Sequence, residues 1–197
     1  MDKLICIGKN YLEHAKELGD AVPEKPVLFL KPPSAMIQAS QEGETIETKL
    51  PVGRGSVHHE CEIVLRLGPG GKIDALTLGL DLTLRDLQAA LKKSGHPWEV
   101  SKVFAGSALL GPWLPVFDDY LEREFSLTIN GALKQKGKGS EMRTPPEACI
   151  EHARSCFPVL PGDAVFTGTP AGVGPIQAGD LAELKWGDRV ILRVKFG

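Results

Sequence analysis

Residues 57–68 read VHHECEIVLRLG, in which two histidines run into two glutamates spaced by one residue and an apolar stretch follows. Charge clustered at the head of a hydrophobic strand carries a desolvation cost unless a partner offsets it. Side chains of a strand alternate faces. Glu60 and Glu62 therefore share one face with His58, Val64 and Arg66, about 7 Å apart along the strand. The other face, His59, Cys61, Ile63, Leu65 and Leu67, is core. Two carboxylates so placed repel unless a cation sits between them. The pattern is either a cation site or a solvated outer face.

Further residues have types and spacing suited to chemistry. Asp81, in TLGLDLTLRDLQ, interrupts the apolar series Leu78, Leu80, Leu82 and Leu84. It is either a functional acid at a strand end or a turn residue bonding backbone amides. In NYLEHAKEL, His14 and Glu17 are three apart and neighbours on a helix. A carboxylate beside an imidazole fixes its tautomer and raises its basicity, as a general base requires; the same spacing also suits a surface ion pair. Lys102 heads the apolar run of SKVFAGSALLG, where it either snorkels to solvent or faces a polar cavity. FTGTPAGVGP, residues 166–175, offers Thr167, Thr169 and backbone amides to a small anion, or is simply a set of tight turns.

The elements that position these residues are mostly short strands. KLICIG, PVLFLKP, CEIVLRLG, FSLTING, DAVFTG and DRVILRVKFG read as strands, punctuated by 22 glycines and 15 prolines. Gly-Asp turns at Gly162, Gly179 and Gly187 each precede one. A helix starts from an Asn10 cap with Glu13 three residues on, carries Tyr11, Leu12, Ala15 and Leu18 on its apolar face, and stops at Gly19. A second has Thr83 as cap, Asp86 in its first turn, Lys92 and Lys93 in its last, and Gly95 beyond. PPEACIEHARSC is a third. The expected fold is mainly β (α+β), with a few short helices.

The 197 residues suit one domain, with 42% hydrophobic residues to fill a core. With 25 acidic and 23 basic residues, net charge −2, there is no basic footprint for nucleic acid or a membrane surface. No apolar run reaches the roughly 18–20 residues of a membrane span, and the N-terminus lacks a signal-peptide pattern. The four cysteines form no C-x-x-C pair, and Cys61, Cys149 and Cys156 read as small core hydrophobes. The expectation is a soluble protein of a reducing, cytoplasmic compartment.

Taken in order, GKNYLEHAKELG, PVLFLKPPSAMI, HHECEIVLRLG, GLDLTLRDLQ, SKVFAGSALLGPW and GDAVFTGTPAGVGP resemble the fumarylacetoacetate hydrolase family, across nearly the whole chain. The likeness is to its short, single-domain branch of acylpyruvate hydrolases and oxaloacetate decarboxylases. It implies a mixed β-sandwich roll forming one catalytic domain over residues 1–197, a homodimer, and a lid helix at about residues 10–19. It implies Glu60, Glu62 and Asp81 as ligands of one Mg²⁺ or Mn²⁺, and the lid pair His14 and Glu17. Lys102 falls on the family's active-site lysine, Gln88 on its substrate-contacting glutamine, and Thr169 lines its pocket. Lys9 stands where many relatives carry arginine, which changes how a carboxylate would be held.

Three carboxylates without a thiolate make a hard oxygen site, which leaves His58 and His59 outside the ligand set. The anionic site then needs cations, supplied by Lys102 with Lys9 or Lys31. The function expected is metal-dependent cleavage of acylpyruvates, such as acetylpyruvate or fumarylpyruvate, to pyruvate and an acid. His14, oriented by Glu17, would deprotonate the attacking water, and Lys102 would steady the oxyanion. Decarboxylation of oxaloacetate at the same site is a related expectation. The rivals are an isomerase or decarboxylase of unsaturated 2-oxo dioates and a catalytically silent metal-binding homologue.

Overall fold

The computed structural model describes residues 1–17 and 24–197. The chain runs β1 (Leu4–Gly8), α1 (Leu12–Glu17), β2 (Val27–Lys31), β3 (Met36–Gln38), β4 (Thr45–Thr48), β5 (Val57–His59) and β6 (Cys61–Leu67). It goes on through β7 (Ile73–Asp81), β8 (Thr83–Leu84), α2 (Arg85–Lys93), β9 (Ala108–Leu110), β10 (Phe125–Ile129) and β11 (Ala132–Gly137). α3 (Pro146–Cys156), β12 (Ala164–Phe166), β13 (Gly174–Pro175), β14 (Leu181–Trp186) and β15 (Arg189–Phe196) complete it. All six strands expected from the sequence form, and each Gly-Asp turn leads into a strand.

Seven strands build one sheet in the order β2-β1-β12-β6-β7-β9-β3, and five a second, β11-β10-β14-β15-β4. The small sheet β13-β5-β8 closes one end. Parallel pairings of β1 with β12, β3 with β9 and β4 with β15 mix with antiparallel ones. This is the mainly β, mixed sandwich-like roll expected, with three short helices among the described residues.

The main core lies between the two large sheets. Ile5, Ile63, Leu65, Leu78 and Leu80 of the first meet Leu127, Leu184, Ile191 and Leu192 of the second. Each such side chain, fully buried, contributes about 1.5–3 kcal/mol. The outer face of the seven-stranded sheet is covered too. Leu4, Cys6, Val64, Leu110 and Phe166 cluster there, with Trp98 and Trp113 packed against them. Of the two readings of that face, the solvated one does not hold: Glu60, Glu62 and Val64 are buried. Period-2 alternation does not separate a half-buried strand from a central one covered on both sides.

Other local expectations are also corrected. Thr83 lies in β8 rather than capping α2, and the residue before the helix, Leu84, makes no side-chain cap bond. Asn10 does not cap α1. Its amide donates to the Thr144 and Thr167 carbonyls and accepts the Thr144 N–H, tying the helix entry to two distant segments. Cys156 is exposed, whereas Cys6, Cys61 and Cys149 are buried. Leu18 and the Gly19 stop lie outside the described residues. No described helix is long and apolar enough to cross a membrane.

Candidate active site

β6 and β7 pair antiparallel with Cys61 opposite Leu80 and Glu62 opposite Gly79. Continued by one residue, that register sets Glu60 against Asp81, whose N–H donates to the Glu60 carbonyl at 2.9 Å. Glu60 stands at the break between β5 and β6, where the chain leaves the small sheet for the large one. Glu62 follows two residues on, so all three carboxylates meet on one face. One oxygen of each lies within 4.8 Å of the others, and all three residues are buried.

Cations surround this acidic cluster. Lys102, in the turn after a short 3₁₀ segment, donates from Nζ to Glu60 Oε2 at 2.7 Å and to Asp81 Oδ2 at 2.8 Å. Lys31 approaches Asp81 from the other side, as an ion pair at 2.7 Å, while donating to the Leu82 and Ser107 carbonyls. Arg85, at the start of α2, donates to Glu60 Oε1 and Gln88 Oε1.

The environment splits the acids electrostatically. Burial would raise the Glu60 carboxyl, but Lys102 and Arg85 outweigh it and hold it well below the usual range. Glu62 takes the Gly168 N–H at 2.7 Å, yet burial, reinforced by Asp81 and Glu60, pushes its carboxyl well up. Burial disfavours the Lys102 ammonium, but Asp81 and Glu60 outweigh that and hold its pKa above the ordinary value. At Lys31 burial wins and lowers it, Asp81 countering only in part.

The residues fit a hard divalent cation. The donor set is all oxygen, buried and converging, and Glu62 lacks the charge compensation that Glu60 has. His58 and His59 stand outside this group. His59 Nδ1 bonds Gln135 Oε1 at 2.9 Å, and burial, then the nearby Arg85, lowers the half-buried His58.

A cavity of about 280 Å³ opens on the triad. His14, Lys9, Gln88, Thr169 and Lys102 line it, together with Arg85, Lys92, Phe29 and Trp98. His14 is buried, and its Nδ1 lies 3.3 Å from Glu17 Oε2. Since a carboxylate only accepts, this Nδ1 carries the hydrogen and Nε2 is left for acid–base work. Glu17 also accepts the Gly172 N–H at 3.2 Å, which fastens α1 to the loop after β12. In that loop Gly168 has φ +99, and a Cβ there would meet Asn10 Cβ at 2.8 Å, so only glycine presents its N–H to Glu62.

Of the sequence candidates, Lys31 is corrected. It does not line the cavity but lies fully buried behind Asp81, because the end of β2 points it between two backbone carbonyls. The sequence reading missed Arg85 and Gln135. Arg85 sits three residues before Gln88 on one helix face, a spacing that signals a shared site. Gln135 carries no signal, being one amide in the otherwise lysine-rich LKQKGK.

A family model described as "Fumarylacetoacetate (FAA) hydrolase C-terminal" matches residues 3–197. The chain is 38% identical over 193 residues to the oxaloacetate tautomerase YcgM of Escherichia coli (strain K12), covering 91% of this chain and 86% of that protein. Its fold is similar, with a TM-score of 0.90 and 37% identity, to a structure ascribed to the same family from Yersinia pestis CO92. That match covers 100% of this chain and 94% of the other. It is also similar to fumarylpyruvate hydrolase from Pseudomonas aeruginosa, in complex with Mn²⁺ and pyruvate. There the TM-score is 0.89 at 30% identity, covering 100% of this chain and 91% of that one.

Proposed function

The chain belongs to the fumarylacetoacetate hydrolase family, and from that premise we propose that it is a divalent-metal-dependent enzyme acting on 2-oxo dicarboxylates beside the 2-oxo group. The observation that carries this is the charge of the site. Glu60, Glu62 and Asp81 are matched by Lys31, Arg85 and Lys102, so a bound Mg²⁺ or Mn²⁺ leaves an excess of two positive charges. A dianion such as oxaloacetate neutralises that excess, and Lys9 and Lys92 also line the cavity. The names of the relatives agree, since oxaloacetate and fumarylpyruvate both carry a 2-oxo acid and a second carboxylate.

A cation held by Glu60, Glu62 and Asp81 supplies Lewis-acid polarisation of the 2-oxo group. His14 Nε2 takes a proton from carbon 3 of the substrate and delivers it to the oxygen on carbon 2, giving the enol, and the reverse transfer regenerates the ketone, while Glu17 holds the imidazole tautomer through Nδ1. Lys102 keeps its proton and steadies the oxygen that becomes negative. Gln88 and Thr169 border the substrate space and Phe29 and Trp98 limit water in it. These steps interconvert the keto and enol forms of oxaloacetate.

A second reading, cleavage of the bond between carbons 3 and 4 of an acylpyruvate, is favoured by the pairing of buried His14 with Glu17 at the cavity. There His14 Nε2 would take its proton from water, and Lys102 would steady the oxyanion formed at carbon 4. The two readings are tested together, by enol absorbance with oxaloacetate and pyruvate release from fumarylpyruvate and acetylpyruvate. The expected result is turnover lost in EDTA and restored by Mn²⁺, with kcat/KM for the dicarboxylates about tenfold above acetylpyruvate, about 1.4 kcal/mol. Faster turnover of acetylpyruvate than of either dicarboxylate contradicts the dicarboxylate reading, and undiminished turnover in EDTA contradicts the metal.

A further inference from the structure

β11 carries a bulge. Leu127 of β10 pairs with Gln135 and Thr128 with Leu133, leaving Lys134 as the extra residue. A bulge bends a strand and re-aims the next side chain. Here Gln135 turns inward and is 1% exposed, while its neighbours Lys134 and Lys136 face solvent. Its Oε1 accepts the Cys61 N–H at 3.0 Å and faces His59 Nδ1 at 2.9 Å. Its Nε2 donates to Thr169 Oγ1 at 2.8 Å and to the Pro170 carbonyl at 2.9 Å.

The orientation of this amide is over-determined. The Cys61 N–H can meet only Oε1, and the Pro170 carbonyl can accept only from Nε2. His59 Nδ1 is therefore a donor, and Thr169 passes its own hydrogen to the Cys61 carbonyl at 2.8 Å. Every hydrogen-bonding valence of the amide is used, two on each side.

His59 and Cys61 are the residues on either side of Glu60. Thr169 follows Gly168, whose N–H holds Glu62. The same bulge backs the far end of this loop: a Cβ on Gly172 would lie 2.1 Å from the Lys134 carbonyl oxygen, and the Gly172 N–H is the one Glu17 accepts. One buried side chain thus links the backbone flanking one candidate ligand to the loop that aims another.

We propose that Gln135 is a positioning residue of the metal site, setting Glu60 through both its chain neighbours and Glu62 through the Thr169 loop. This rests on the metal-site reading above. Gln135 touches neither the carboxylates nor the cavity, so its effect runs through the spacing of ligand oxygens. Partners of this kind typically change metal affinity by about 10–100-fold when removed.

The experiment measures Mn²⁺ affinity by titration calorimetry and the Mn²⁺ electron paramagnetic resonance spectrum in full-length protein. Gln135→Met keeps the length without the amide, and Gln135→Asn keeps an amide too short to bridge both sides. Ile150→Ala, in the core on α3 and away from the cavity, serves as a variant of lowered stability alone. The expected result is Mn²⁺ binding weakened about 10–100-fold in the Gln135 variants, with an altered spectrum, while Ile150→Ala binds as the wild type does. Gln135 variants that bind within twofold of wild type overturn the proposal, as does an equal loss in Ile150→Ala. Wild-type protein that takes up no Mn²⁺ overturns the metal-site reading itself, and the proposal with it.

Discussion

The two sides of the cavity are built in opposite ways. Glu60, Glu62 and Asp81 stand at the centre of a seven-stranded sheet with apolar clusters on both faces. His14 and Glu17 stand on α1, a local element outside the sheets. It is held by Asn10 at its entry, by the Tyr11–Met142 bridge and by the Glu17–Gly172 bond. The difference implies a division of labour. The cation-binding side is formed by the fold itself, while the acid–base side is a local element fastened to it at a few points.

The largest effect that can break this comparison is loss of the sheet-held ligand. Asp81→Ala should abolish Mn²⁺ binding and lower kcat/KM at least about a thousandfold, measured by calorimetry and by oxaloacetate tautomerisation. It also leaves Lys31 and Lys102 without a shared partner, so a lower melting temperature is expected beside the lost activity. On the other side, His14→Ala should lower kcat by about 10²–10⁴-fold and leave Mn²⁺ affinity unchanged. A drop in metal affinity with His14→Ala would show that the two sides are not independent.

Glu17→Ala sharpens the contrast further. It removes both the tautomer-fixing contact and the Gly172 tie, so kcat should fall by about tenfold or more while the melting temperature moves little. The smallest expected effect on chemistry is at Asp163, which stands in the turn before β12 and outside the cavity. Burial would raise its carboxyl, but the N–H groups of Leu160, Lys3 and Asp2 and the Lys3 ammonium outweigh that and lower it. A folded pKa below the unfolded one gives stability that is present above about pH 4 and lost as pH falls through the folded value. Asp163→Ala should therefore cost about 1–3 kcal/mol near pH 7, with the gap to wild type closing in melts at lower pH. Activity per folded molecule should not change.

The sequence showed more of one side than of the other. Glu60 and Glu62 share a face by strand alternation and Asp81 interrupts an apolar run, but the pattern left each with a bland alternative, and it was the family resemblance that joined the three into one ligand set. The i,i+3 spacing of His14 and Glu17 was likewise local information. What failed depended on long-range packing. β6 alternates like a half-exposed strand, but aromatic residues from β2, β12 and the segment after α2 cover its second face. Lys31 ends a strand much as Lys102 heads a run, and only the tertiary fold places one behind Asp81 and the other before it. Gln135 was invisible because its role comes from a bulge and from partners 74 to 76 residues away along the chain.

The most direct test of the account is the activity of the protein freed of metal. After EDTA treatment and dialysis, oxaloacetate tautomerisation and pyruvate release are measured while Mn²⁺ is added back. The account predicts no turnover without metal and full recovery at one Mn²⁺ per chain, with the Asp81→Ala variant silent throughout. Undiminished turnover by protein shown to hold no metal, or recovery in Asp81→Ala, would contradict it.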